Sequence, residues 1–295
     1  LSTLGVKTSN SYANTGAVLI PARRLDASVG TITQRQVLLN AIANFTAYTN
    51  TPTARSFAET VSYLMGTTTA SRQRTVSDMP YFRYYEYKWG GSWYSRVQKC
   101  SSWNSSYSSC SNWTNTDDSI PTGDTITSDT CTISYDYRNQ KCYVYSGIID
   151  VLNNNSGFSY SNNNTKNSNQ TLYEMPLSLS QTEEIKKCSG QGIYVLTDGE
   201  PTEDSNSLPL MQGALGAKGQ SFSCDDSSSY SCLNALTQAI LDPLKNPAAL
   251  KFKTAVVGFG KSFNNVASYD KNKTQAQNIA ALGTINTNVK RAAEW

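Results

Sequence analysis

The sequence predicts an α/β fold: a mainly parallel sheet flanked by helices, with a large disulfide-containing, β- and loop-rich insertion. Three observations predict it. Apolar runs of strand length at residues 16–20, 192–197 and 252–259 alternate with stretches of helical periodicity. Strands that alternate with helices pair in parallel and are covered on both faces. Between the two α/β stretches the composition changes: residues 66–190 hold twelve of the 18 Tyr, with Trp89, Trp93, Trp103 and Trp113, among Ser, Asn and Thr. The chain therefore divides into 1–65 as the first part of the α/β domain, 66–190 as the insertion and 191–295 as the second part.

Gly16-Ala17-Val18-Leu19-Ile20 reads as a short buried strand stopped by Pro21. From about residue 34 to 48, Val37, Leu38, Ala41, Ile42 and Phe45 recur on one helical face. Thr51 then suits an N-cap and Pro52 a first helical position. The helix they open places Ala54, Phe57, Ala58, Val61 and Leu64 together. In the insertion, residues 81–89 alternate aromatic and charged side chains, a strand signal. Residues 131–142 suggest a disulfide-tied hairpin, and the Asn-rich runs near 153–157 and 161–164 suggest loops. Farther on, 192–197 reads as a strand, and Leu233, Leu236, Ile240, Leu241 and Leu244 as a helix face ending near Asn246-Pro247. Residues 252–259 form another strand, and 275–282 and 289–295 read as helices.

Composition excludes several chemistries. The chain contains no His, which removes Ser-His-Asp and Cys-His catalysis and His-ligated zinc. A net charge of +3 is too mild to argue for nucleic acid. No apolar run approaches the length of a membrane span, so no membrane insertion is expected. The chain begins at Leu1 without Met or a signal pattern and is read as a processed piece of something longer.

Of seven Cys, six form close pairs, Cys100/Cys110, Cys131/Cys142 and Cys224/Cys232, each separated by polar sequence. None has the two-residue spacing of zinc or thioredoxin-like motifs. Disulfides in an exported protein are the expectation, with Cys188 left over.

The residues that could carry chemistry lie at Ile193-Tyr194-Val195-Leu196-Thr197-Asp198-Gly199-Glu200-Pro201, where an apolar strand delivers an Asp to its carboxyl end, the edge at which open α/β sheets bind ligands. Asp198 could serve a cation or cap a helix. Thr51 opens a helix in a comparable loop, and a hydroxyl with a carboxylate suits a hard cation. Asp117, Asp118, Asp124 and Asp129 fit no calcium-loop spacing and read as solvated acids. The aromatic residues of the insertion could form a ligand-binding face or the small core of a disulfide-rich subdomain.

The segment Leu196-Thr197-Asp198-Gly199-Glu200-Pro201 resembles the third metal-site motif of von Willebrand factor A domains, and Thr51-Pro52-Thr53-Ala54-Arg55-Ser56-Phe57 resembles the second, with Thr49 as a register alternative. Tyr173-Glu174-Met175-Pro176-Leu177, the strand leading to Asp198, Ala255-Val256-Val257-Gly258-Phe259-Gly260 and Ala292-Ala293-Glu294-Trp295 are similar to the type IV pilus tip adhesins of the PilC/PilY family. The likeness covers about 35–65 and 173–295. It implies a von Willebrand factor A-like (Rossmann-like) fold, and Thr51 and Asp198 as ligands of Mg²⁺ or Ca²⁺. The family's opening Asp-x-Ser-x-Ser motif is not present. Asp26-Ala27-Ser28 echoes it only in part, and Asp26 reads as a loop residue. The first strand and the remaining ligands are expected upstream of Leu1, and a last strand after Trp295, so this stretch of chain is expected to bind metal weakly or not at all.

The resemblance implies a non-catalytic extracellular module, at the cell surface or pilus tip, that binds a host-cell or surface ligand, protein or glycan, and associates with minor pilins. Two other readings are a secreted surface-binding protein unrelated to pili and a hydrolase working through carboxylates. The last is disfavoured because a glycosidase needs two carboxyls facing across a cleft, whereas Asp198 and Glu200 are only two residues apart and no second carboxylate is read at another strand end.

Overall fold

The computed structural model describes residues 1–7, 12–45, 50–120, 125–126, 137–179, 190–197, 201–202, 205–225, 229–258, 270–282 and 295. Contacts divide the chain into two compact units, one made of Leu1–Gln73 and Val151–Trp295, the other of Arg74–Asp150. Residues 151–179 of the expected insertion fall in the first unit.

In chain order, the strands before the first helix are two-residue pieces: β1 Ser2–Thr3, β2 Val6–Lys7, β3 Tyr12–Ala13, β4 Ala17–Val18, β5 Ser28–Val29 and β6 Ile32–Thr33. Helices α1 Gln34–Ala43 and α2 Thr53–Met65 follow. The long strands come next: β7 Ser71–Trp89, β8 Ser92–Trp103, β9 Cys110–Asn115, the short β10 Thr125–Ile126, and β11 Arg138–Leu152. The chain then forms β12 Gln191–Thr197, α3 Leu208–Ala214, α4 Ser229–Leu241, β13 Phe252–Gly258 and α5 Gln275–Ala281.

The expected mainly parallel, von Willebrand factor A-like (Rossmann-like) sheet flanked by helices is not what forms. Parallel pairing among the described residues is confined to β12 and β13, from Gln191 opposite Phe252 to Thr197 opposite Gly258. The apolar run at 16–20 yields only β4, antiparallel to β1. The dominant sheet has five strands in the order β10-β11-β7-β8-β9 and grows by antiparallel pairing of β8 with β7 and β9, and of β10 with β11. The physical reason lies in the sequence between strands. Parallel strands need a long crossover, whereas β7 and β8 are joined by two residues and β8 and β9 by six, which allow only antiparallel pairing. Coverage differs too. Strand β12 buries Ile193, Val195 and Thr197, but Tyr194 and Leu196 on its other face are 67% and 55% exposed.

The core of the first unit does follow from helical periodicity. Ala54, Phe57, Ala58 and Val61 of α2 pack with Leu210 and Met211 of α3, Leu233, Leu236 and Ile240 of α4, and Ile193, Val195 and Phe252. Trp295 closes this cluster, its ring edge-on to Phe57 at 5.7 Å and its Nε1 donating to Thr237 Oγ1 at 2.9 Å. Helix α4 stops at Leu241, so Leu244 is exposed rather than on the helix face. Buried Asn246 takes over the termination: its Nδ2 donates to the carbonyls of Ile240, Asp242 and Leu250. Helix α1 ends earlier than its periodicity suggests and leaves Leu39, Ile42 and Phe45 exposed. No helix among the described residues is long and apolar enough to cross a membrane.

Candidate functional site

Thr51 lies in the loop before α2, but it does not cap the helix. Pro52 is the N-cap residue and Thr53 begins the helix. The backbone of Thr51 is used elsewhere: its N–H donates to Thr202 Oγ1 at 2.8 Å, and its carbonyl accepts from Thr202 N at 2.9 Å. This ladder joins the Thr51 loop to the chain that follows β12. Asp198, the second expected metal ligand, lies outside the described residues, as do Thr49, Asp124, Asp129, Cys131 and Cys188. Among the described residues no group of three or more Cys, Asp or Glu could hold a metal ion. Asp26 forms a 2.8 Å pair with Arg24, and Asp118 a 3.3 Å pair with Lys99.

Two of the expected disulfides are in place, Cys100–Cys110 and Cys224–Cys232. Cys142 is disulfide-bonded as well. Such bonds form and persist in oxidising compartments.

Two arrangements were not foreseen in the sequence. The first is internal to the larger unit. Glu59, in the middle of α2, is fully buried. Its Oε1 accepts from Thr69 Oγ1, from Gly157 N at 2.5 Å and from Ser156 Oγ at 3.4 Å. Its Oε2 accepts from Tyr173 Oη at 2.6 Å. Tyr173 Oη also meets Ser161 Oγ at 2.6 Å, and Ser161 Oγ accepts from Val18 N at 2.9 Å. Burial pushes the Glu59 carboxyl up, opposed by the donors of Thr69, Tyr173, Gly157 and Ser156. Burial likewise raises the Tyr173 phenol, with the Glu59 charge and hydrogen bond adding to it. Lys166, mostly buried, is lowered by burial and raised by Glu59. Arg55, one turn before Glu59, sends its guanidinium to the carbonyls of Asn14 and Ser205 at 2.7 and 2.6 Å. The spacing of Arg55 and Glu59 resembles an exposed helix ion pair, yet both side chains turn inward to different partners. The network ties α2 to segment 156–173 around a carboxyl with no solvent exposure, so it reads as a structural clasp.

The second arrangement belongs to Arg74–Asp150. In the β7–β8 ladder, Arg83 faces Gln98, Tyr85 faces Arg96, Tyr87 faces Tyr94 and Trp89 faces Ser92. Side chains alternate across a strand, so Arg83, Tyr85, Tyr87, Trp89, Tyr94, Arg96 and Gln98 share one face. Strand β9 extends it with Asn115 opposite Gln98 and Trp113 opposite Cys100. Contacts agree with this parity. The Arg83 guanidinium lies 4.5 Å over the Trp113 ring, and the Arg96 guanidinium 4.8 Å over the Tyr87 ring. Arg83 Nε donates to Gln98 Oε1 at 2.7 Å, and Gln98 Nε2 to Asn115 Oδ1 at 2.9 Å. Tyr85 is buried against Tyr137 at 4.9 Å.

On the opposite face of the same strands, two cations have carboxylate partners. Arg138 is 2.6 Å from Glu86 and lies 3.9 Å over Trp93, while Lys99 pairs with Asp118. On the first face, neither Arg83 nor Arg96 has a carboxylate partner among the described residues. Burial lowers the Arg83 guanidinium, with Tyr85 and Tyr137 acting the other way. The β7–β8 turn consists of Gly90 and Gly91 at φ 55° and 90°, the left-handed region that such two-residue hairpins require. It leaves Trp89 74% exposed at the tip. The signal available in the sequence was the parity of 83, 85, 87 and 89. Which residues of β8 and β9 join them depends on register.

Comparison of the chain with protein-family models, with curated proteins and with solved structures finds no match.

Proposed function

We propose that this chain is a non-catalytic, exported adhesion module whose contact surface is the guanidinium-bearing face of β7, β8 and β9. One observation carries the reading: Arg83 and Arg96 are held against aromatic rings on a face that offers them no carboxylate among the described residues. An uncompensated guanidinium fixed by stacking keeps donors for a partner and needs little ordering to use them. Aromatic rings with small polar groups around them are the composition of adaptable recognition surfaces. The disulfides support export. The lack of His and the closed surroundings of Glu59 support a role without catalysis.

The quoted motifs further support a place among type IV pilus tip adhesins of the PilC/PilY kind, at a pilus tip or cell surface, with minor pilins as assembly partners. A divalent cation, Mg²⁺ or Ca²⁺, at Thr51 and Asp198 belongs to the same proposal, with weak affinity.

The test is adhesion of beads coated with the intact chain to epithelial cells and to glass. The variant Trp89→Ala/Tyr94→Ala/Arg96→Gln is expected to fold with unchanged disulfides and melting temperature and to adhere at least several-fold less. Full adhesion by that variant would remove this face from the function.

A further inference from the structure

We infer that the face bearing Arg83 and Arg96 binds carboxylated sugars. The inference rests on reading the chain as an adhesion module and names the ligand class of that same surface. Each element of the recognition is present in the geometry.

Charge comes first. Arg96 is opposite Tyr85 and Arg83 opposite Gln98, so the two arginines are diagonal neighbours across β7 and β8, about 7–8 Å apart at the backbone by ordinary sheet geometry. Cation–π stacking on Trp113 and Tyr87 orients the two guanidinium planes; Arg83 Nε donates to Gln98 Oε1 and Arg96 Nη2 to Tyr87 Oη, and the remaining N–H groups of each are left for a ligand. Those edges match the two oxygens of a carboxylate. On the opposite face the arginine is already engaged: Arg138 pairs with Glu86, and Lys99 pairs with Asp118.

The neighbours decide between a sugar and another acidic ligand. Tyr94 is exposed beside Arg96, and an aromatic ring presents a flat apolar surface to the C–H side of a pyranose. The Gln98–Asn115 amide pair, at the other end, supplies both donors and acceptors for hydroxyl groups. An extended acidic peptide would gain most of its affinity by adding a strand to a sheet edge. Here β7 has a strand on both sides and β8 is paired with β9 only from Gln98 to Trp103, so a peptide strand could add only along Ser92–Arg96, two strands away from Arg83 on β7, whereas a ligand seated on the face meets both arginines. A ligand rich in hydroxyls with a carboxylate fits such a face better than one that needs a backbone ladder.

Carboxylated sugars come from two sources, uronic-acid polymers and sialylated chains, which separate probes distinguish. Titration of the intact chain with a hyaluronan octasaccharide, its carboxyl-reduced form, 3′-sialyllactose and a poly-glutamate peptide of equal charge is the experiment. Binding to hyaluronan or to sialyllactose is expected, with at least tenfold weaker binding of the carboxyl-reduced sugar. Arg96→Gln, on an exposed side chain that leaves the core untouched, is expected to weaken binding about tenfold. Arg83→Gln should act likewise, and Arg138→Gln on the opposite face should have no effect. Added NaCl should weaken the interaction.

Equal binding of the carboxyl-reduced sugar, an unaffected Arg96→Gln protein, or tighter binding of poly-glutamate would overturn the inference. So would failure of both sugars to bind. If that failure occurs while the coated beads still adhere, only the ligand class is wrong. If the sugars bind and the beads do not adhere, the adhesion reading fails and the sugar site stands.

Discussion

Tyr173 donates its phenolic hydrogen to Glu59 across 114 residues of sequence, at 2.6 Å, in a site that excludes water from the carboxyl. The contact clamps α2 to the segment after the long strands. Its energetic weight comes from what would be stranded without it: the groups of Thr69, Gly157 and Tyr173 turn toward one carboxyl, and each would lose its partner there.

Glu59→Gln is therefore expected to be tolerated. The amide oxygen can accept from Thr69 and Gly157, and the amide nitrogen can donate to Tyr173, whose hydrogen then turns to Ser161. Glu59→Ala removes every acceptor and leaves a void, so it should cost about 3 kcal/mol or more. Chemical denaturation of the two variants at one pH gives the comparison. A Gln variant as damaged as the Ala variant would show that the network requires the charge.

The pH dependence follows from the same group. Because burial raises the Glu59 pKa above its ordinary 4.5, the native state holds the proton more tightly than the unfolded chain. This contribution to stability is fully present below the unfolded value and is lost as pH rises through the higher folded value. Unfolding free energy measured from pH 4 upward should decline more steeply for the natural protein than for Glu59→Gln. Superimposable profiles would mean that Glu59 is not the group responsible.

Gly157 should tolerate no side chain. A Cβ built there would lie 1.7 Å from the carbonyl oxygen of Gly16, while the Gly157 N–H bonds Glu59. Gly157→Ala must separate the two backbones and break that hydrogen bond, at an expected cost of about 2 kcal/mol or more. A melting temperature within a degree of the natural protein would show that the segments can part at no cost.

Non-reducing peptide mapping should recover Cys100–Cys110 and Cys224–Cys232. Replacing Cys224 and Cys232 together by Ser should lower stability by about 2.5 kcal/mol, the chain-entropy value for so short a loop. Free thiols at these four positions in protein made under oxidising conditions would argue against an exported chain.

The amino-acid sequence by itself determined the local elements and much of one core. The periodicity of α2 placed Ala54, Phe57 and Val61 inward, and the alternation of residues 81–89 marked a strand, because both patterns depend on neighbours a few residues away. The short loops between Cys100 and Cys110 and between Cys224 and Cys232 identified disulfides for the same reason. Pairing was decided elsewhere. Whether β4 joins a parallel sheet or merely lies against Ser2 and Thr3, and whether Arg96 sits beside Tyr85 or a residue away, depends on register between distant strands. A one-residue slip would move Arg96 to the opposite face. Glu59 was illegible for a related reason. In sequence it is an acidic residue one turn after an arginine, and only tertiary structure could bring Thr69, Gly157 and Tyr173 close enough to hold a carboxyl out of water.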